Sequence, residues 1–209
     1  MTDAELSKRL RRVRAALGDV SGVRPEDAPP PTVRGVGKDF HLVQDYSADR
    51  TLEQLEKDAY GVINEIMGIK GRARAWMKGR GKDSELVGPF LKTHRHAAIV
   101  HDLANADKHG TSGRTTVSGL QPILKEVHKG VVLVRNPVTG KYASEGSVTR
   151  QVNILTGEVQ NMPIENTELV LTGKIVDSSD TEILALHDLF FWAIKDWEEF
   201  LNGQGVVLS

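Results

Sequence analysis

Cysteine is absent from the 209-residue chain, which excludes disulfides and thiolate metal sites and fits a cytoplasmic home. No apolar run approaches the roughly 20 residues needed to span a bilayer. The basic, polar N-terminus also lacks the apolar region of a signal peptide, so no membrane partner is expected. Charge of either sign is not in excess: 27 Lys and Arg face 28 Asp and Glu for a net charge of −1. Any pull toward nucleic acid must therefore come from local patches. The chain has no G-x-S-x-G elbow, Walker loop or dinucleotide fingerprint, which removes support for hydrolase, nucleotide-triphosphatase and dehydrogenase chemistry. There is no internal repeat, and the only low-complexity tract is a run of prolines at Pro29, Pro30 and Pro31.

What is present is concentrated between Ser84 and Gly110, where four of the seven histidines fall within one apolar stretch. Leu86, Phe90, Ala97, Val100 and Ala104 recur at helical spacing, and Val87, Leu91, Ala98, Ile99 and Leu103 widen the stripe. The spacing predicts a helix near the middle of a bundle, with Pro89 in its first turns and Gly110 as its stop. At about 100° per residue, His94, His101, Asn105 and Lys108 share one polar row, and Arg95, Asp102 and His109 form a second beside it. Burying such groups costs roughly 1–3 kcal/mol each unless they are hydrogen-bonded. The rows are thus either a network that fixes how the helices register or the lining of a functional cleft.

Around this helix the sequence predicts an α+β protein, a helical bundle of three long helices and one short with an inserted antiparallel β-meander. Residues 1–38 read as a basic N-terminal helix and a proline-rich linker, and 39–209 as a single domain. The first helix carries Lys8, Arg9, Arg11, Arg12 and Arg14, as a phosphate-binding arm or a solvated terminus. Phe40 to Tyr46 reads as a short helix or an extended lead-in. A Thr51-x-x-Gln54 capping box opens a helix over about 51–78 with a heptad seam from Leu52 to Trp76, which calls for an antiparallel partner or a second subunit. The second long helix covers about 84–109, strands fall within about 115–177, and a Ser179-x-x-Glu182 box starts the last helix, about 181–202. Turns are expected at 136–140 and at 156–157.

Lys70, Arg72, Arg74, Lys78, Arg80 and Lys82 form an acid-free run interleaved with Trp76 and glycines. It reads equally as a grip on a phosphate backbone with the indole stacked on a base, or as the counter-charge of the acidic last helix. His187, on the apolar stripe of that helix, reads as a satisfied core or boundary residue, or as one that faces the polar rows of the Ser84 helix. No metal is expected: His94 and His101 are separated by about 10.5 Å of helix rise, too far to share an ion at roughly 2.1 Å. No His-x-x-x-His pair lies on the helix, and no cofactor is implied.

Metal-independent RNA cleavage needs an acid and base near neutral pH and a cation for the phosphorane, which histidine with arginine or lysine supplies. Arg95-His96-x4-His101 resembles the R-x(4–6)-H signature of the HEPN superfamily of helical bundles. The resemblance implies an endoribonuclease of toxin or defence type, a motif at a dimer-shared cleft, Arg95 and His101 as the catalytic pair, and His96 in support. Asp102 beside His101 completes the candidate catalytic set. Asn105, Lys108 and His109, with Lys70, Arg72, Arg74, Trp76, Lys78 and Arg80, are the candidate RNA contacts. The segment DLANADKH is also similar to an asparagine-x-x-lysine-histidine helix of uncharacterised bacterial and phage proteins, which implies a family without an activity. The expected partners are RNA and a second copy of the chain. The competing expectation is a non-catalytic interaction protein, an adaptor or phage-encoded inhibitor, whose polar rows only lock the bundle.

Overall fold

Helix α2 (Leu52–Gly79) is the spine of the molecule, and its start is fixed by the expected capping box: the Gln54 N–H donates to Thr51 Oγ1 at 3.3 Å and the Thr51 N–H to Gln54 Oε1 at 2.8 Å. The structure, a computed structural model, describes residues 2–19, 32–34, 41–43, 50–110, 115–133, 151–152, 159–160 and 167–208. From Leu55 through Ala59, Val62, Ile66, Ile69 and Ala73 to Trp76 the heptad seam is buried inside the one chain, and only Leu52, 57% exposed, stands out of it. Of the two partners expected for the seam, an antiparallel helix or a second subunit, intramolecular neighbours therefore supply the cover.

One of those neighbours is α1 (Asp3–Asp19), which runs antiparallel to α2: Asp3 meets Trp76 and Arg80 at one end, and Arg9 meets Glu65 further along. Leu6, Leu10 and Val13 belong to the common core. The basic N-terminal helix is thus a docked member of the bundle and not a separate arm.

The expected 84–109 helix is interrupted. A 3-10 turn at Ser84–Leu86, capped by Asp83, leads into α3 (Val87–Thr93), and α4 (Arg95–His109) restarts after His94, which is extended at φ −111° and ψ 98°. The Thr93 hydroxyl donates to the Pro89 and Phe90 carbonyls, and the His94 Nδ1 lies 2.9 Å from the Phe90 oxygen, so side chains occupy the acceptors of the last turn. Neither His94 nor its neighbours cap the new helix. Asp196 does so from α5 (Leu186–Gly203), accepting the Ala97 N–H at 3.1 Å. α4 lies antiparallel to α2 and packs on both α2 and α5.

An antiparallel sheet of order β3-β6-β7 closes the core, built from β3 (Ile123–Leu133), β6 (Thr167–Val176) and β7 (Glu182–Ala185). Its inward residues Val127, Leu171 and Ile175 join the helical core. Two short pairs complete the strands: β1 (Thr32–Arg34) with β2 (His41–Val43), between α1 and α2 in sequence, and β4 (Gln151–Val152) with β5 (Val159–Gln160), between β3 and β6. β2 shows that this part of the Phe40–Tyr46 stretch is extended. The turns expected at 136–140 and 156–157 and most of the proline-rich linker lie outside the described residues.

The last helix starts later than expected. Ser179 and Thr181 do not cap it; their N–H groups donate to Asp177 Oδ1, both at 2.9 Å, in a tight turn between β6 and β7. Glu182 to Ala185 then pair with β6 before α5 begins at Leu186. β3 bulges between Lys125 and His128, with Glu126 at φ 52°, and Gly173 of β6 lies against this bulge. A Cβ on Gly173 would stand 2.9 Å from the Lys125 carbonyl oxygen and 3.2 Å from the Val127 Cα, both backbone. Gly173→Ala should therefore destabilise the fold by about 2 kcal/mol, whereas Gly71→Ala on open helix surface should gain up to about 1 kcal/mol. Urea denaturation of the two variants measures both, and equal midpoints would contradict this packing.

Candidate functional site

α4 is buried along Ala97–Ala104, so its polar residues must find partners inside the bundle. His101 is only 8% exposed. Its Nε2 lies 2.8 Å from Lys70 Nζ of α2, and its Nδ1 lies 3.1 Å from Asn105 Nδ2 and 3.4 Å from Asp102 Oδ1. The 2.8 Å contact admits two proton placements. A Lys70 ammonium donates to Nε2 and leaves the imidazole proton on Nδ1, toward Asp102; a neutral Lys70 amine accepts from Nε2–H and leaves Nδ1 free to accept from Asn105. Desolvation, then the nearby Arg74 charge, push the Lys70 pKa below its usual value, which narrows the gap between the two states. No carboxylate among the described residues pairs with Lys70.

Asp102 faces the other way. Its Oδ1 accepts the Val117 N–H at 2.9 Å, and its Oδ2 accepts the Ser118 N–H at 2.8 Å and the Ser118 hydroxyl at 2.6 Å. Burial opposes its ionisation, but these bonds and the one to His101 outweigh it and hold the carboxyl below the ordinary aspartate range. Asp102 thus ties the segment after α4 back onto the helix. A pocket of about 60 Å³ opens beside it, lined by Asp102, Asn105, Gly110, Thr115 and Gln121 among others.

The other expected site residues are dispersed. Arg95 is exposed at the first position of α4, six positions before His101, which is about 9 Å of rise and about 120° of rotation. The cation brought to His101 is Lys70, from α2. His96 turns toward α5, with Nδ1 3.5 Å from Asp196 Oδ2 and its ring stacked on Trp192. Lys108 and His109 are exposed at the C-terminal end of α4, and Arg72 and Lys78 are exposed on α2. Trp76 is 1% exposed and donates its Nε1–H to Asp3 at 2.8 Å, so the indole is not open for stacking on a base. Arg80 pairs with Asp3 and lies over the Trp76 ring, while Arg74 faces Glu85 at 3.8 Å. The basic run does not neutralise the last helix among the described residues: Glu198 pairs with Arg14 and Lys195, and Asp180 with Lys125. His187 is a boundary residue, its Nδ1 2.9 Å from the Thr172 hydroxyl.

Asp196, Ser118 and Trp192, which position this region, carry no signal in sequence spacing, because each acts across elements. Among the described residues no three His, Cys, Asp or Glu side chains gather closely enough to hold a metal ion, and no helix is long and apolar enough to cross a membrane.

Removing Asp102 leaves two backbone donors and a hydroxyl without their acceptor, so Asp102→Ala should cost about 2–3 kcal/mol. Because its folded pKa is depressed, the carboxylate's contribution is complete above the unfolded aspartate value, about 3.9, and is lost as pH falls through the lower folded value. Chemical denaturation at neutral pH and at about pH 3 checks this: the wild type should lose more stability on acidification than Asp102→Asn, and parallel losses would contradict the account.

No family model, no curated protein and no solved structure matches the chain, so what the site does has to follow from its own groups.

Proposed function

We propose that the protein binds RNA at the junction of α2 and α4 and supports its metal-independent cleavage, with Lys70 and His101 as the working pair. The observation that carries this reading is the 2.8 Å Lys70–His101 contact, in which a desolvated lysine meets a histidine and, among the described residues, no carboxylate. A cation beside an imidazole suits a phosphodiester, which carries negative charge and needs acid–base help. The reading keeps the chemistry expected from the HEPN resemblance but moves the cation from Arg95 to Lys70. His101 takes or returns a proton through Nε2, Lys70 balances charge developing on the phosphorus oxygens, and Asp102 Oδ1, 3.4 Å from Nδ1, orients the ring by accepting its Nδ1–H.

A second reading is favoured by the burial of His101 and the full use of Asp102 by Val117 and Ser118. In it the network only locks α4 in register, and the protein acts through its surface as a non-catalytic interaction partner.

The two separate on one assay. Cleavage of a labelled mixed-sequence RNA in EDTA should fall at least about 100-fold in both Lys70→Ala and His101→Ala, and by only a few-fold in Arg95→Ala. Lys70→Met should still fold, at a cost of about 1–3 kcal/mol at most, since it removes a desolvated charge but leaves the buried His101 Nε2 without its partner. Absence of cleavage by the wild type, together with large stability losses in both variants, would favour the locking network.

A further inference from the structure

The basic run of α2 divides by what its members touch. Arg80 pairs with Asp3 of α1 and lies over the Trp76 ring, and Lys82 lies over the same ring and donates to the Gln204 carbonyl at the end of α5. These two cations fasten neighbouring elements to α2. Lys70 and Arg74 are placed otherwise. They stand one turn apart on one face of α2, which brings their Cβ atoms to about 5–6 Å. The Arg74 charge reaches Lys70, where it follows desolvation as the second cause that lowers the ammonium's pKa.

Both side chains keep donors unused. Among the described residues Lys70 Nζ meets the His101 ring alone, at 2.8 Å. The Arg74 guanidinium finds no acceptor within hydrogen-bond distance among those residues: its Nε is buried and unpaired, and Glu85 Oε2, the carboxylate that faces it, stands 3.8 Å from Nη2. Glu85 is positioned by its backbone. It sits in the 3-10 turn Ser84–Leu86, its N–H donating to Asp83 Oδ1 at 2.9 Å, while its side chain is 80% exposed. An ion pair so long and so wet is weak and screened by salt. Two like charges thus share one helix face beside a buried imidazole, opposed by one loosely placed carboxylate. A phosphate answers that arrangement, because its several oxygens can accept from a planar guanidinium and from an ammonium together.

We infer that Lys70 and Arg74 form a phosphate-binding fork, with the Glu85 carboxylate as the intramolecular stand-in that an incoming phosphate displaces. The inference rests on the RNA reading for the source of that phosphate, a backbone phosphodiester, but it concerns anchoring and not proton transfer. Arg74 is accordingly a binding residue, and His101 remains the group that exchanges the proton.

The test uses the full chain in EDTA and two probes. The first is a labelled 2′-O-methyl-uridine dodecamer, which lacks the free 2′-hydroxyl needed for cleavage, followed by fluorescence anisotropy. Arg74→Gln should weaken binding about tenfold and lower the salt slope by about one ion. Lys57→Gln removes the same charge from the exposed face of α2, about 25 Å of helix rise away, and should weaken binding less than about twofold. Arg74→Lys, which keeps the charge without the planar fork, should recover the salt slope and part of the affinity. Glu85→Gln should tighten binding by up to about fivefold. Circular dichroism melts establish that each variant is folded. The second probe is inorganic phosphate, titrated into protein labelled with ¹⁵N-arginine against sodium chloride of equal ionic strength. The Arg74 guanidinium signal, assigned by its loss in Arg74→Lys, should move with phosphate and not with chloride. Equal losses of dodecamer affinity in Arg74→Gln and Lys57→Gln would overturn the fork while leaving RNA as a ligand. An Arg74 signal that moves with phosphate in a protein that binds no dodecamer would sustain the fork and remove the RNA reading. A signal indifferent to phosphate, together with no dodecamer binding, would overturn both.

Discussion

Burying α4 is the constraint on which the rest of the structure depends. A helix covered along Ala97–Ala104 cannot leave its polar groups to water, so each of them recruits a group from another element. Asp196 of α5 takes the free N–H at its start, Lys70 of α2 meets His101 at its middle, and Val117 and Ser118 close on Asp102. These three contacts fix the position of α4 against two helices and the strand-bearing segment at once. The apolar packing around them would tolerate sliding by a turn; the polar contacts do not, because each would strand a buried donor or acceptor at a cost of about 1–3 kcal/mol.

The contacts differ in what they leave undone. Asp102 is saturated by donors and stabilised in its charged form, which is the behaviour of a structural anchor. Lys70 is placed against its own preference, its charge disfavoured by desolvation and by Arg74. Groups held at such a disadvantage are characteristic of working sites, where stability yields to chemistry. In the proposed reading the two neighbours on one helix turn, His101 and Asp102, divide between them the roles that the sequence offered as alternatives.

The fold class was legible because the seam of α2 and the apolar period of α4 are strong local patterns, and the Thr51 cap is satisfied by residues three apart. α1 was legible in principle from Leu6, Leu10 and Val13, whose spacing marks a buried stripe beneath the basic residues that dominate its composition. Two boundaries were not. The break at His94 depends on side chains competing for carbonyls and on a cap donated from α5, ninety-nine residues away in the chain. The Ser179-x-x-Glu182 pattern also suits a turn, and pairing of Glu182–Ala185 with β6 decides between the two. The site was legible as a set of residues and not as a set of pairs. Helical period places His101 on a face; it does not say that Lys70, thirty-one residues earlier, is the cation that meets it, or that Arg95 projects elsewhere.

The state of the His101 ring tests the central claim most directly. In protein labelled with ¹⁵N-histidine, with the His101 signals assigned by His101→Gln, the imidazole nitrogen shifts report tautomer and contact. The account predicts that Lys70→Ala moves the His101 nitrogen signals and that adding an uncleavable single-stranded RNA moves them again in the wild type. Signals that respond to Lys70→Ala but stay fixed at saturating RNA would contradict it, and would leave the pair as a lock inside the bundle.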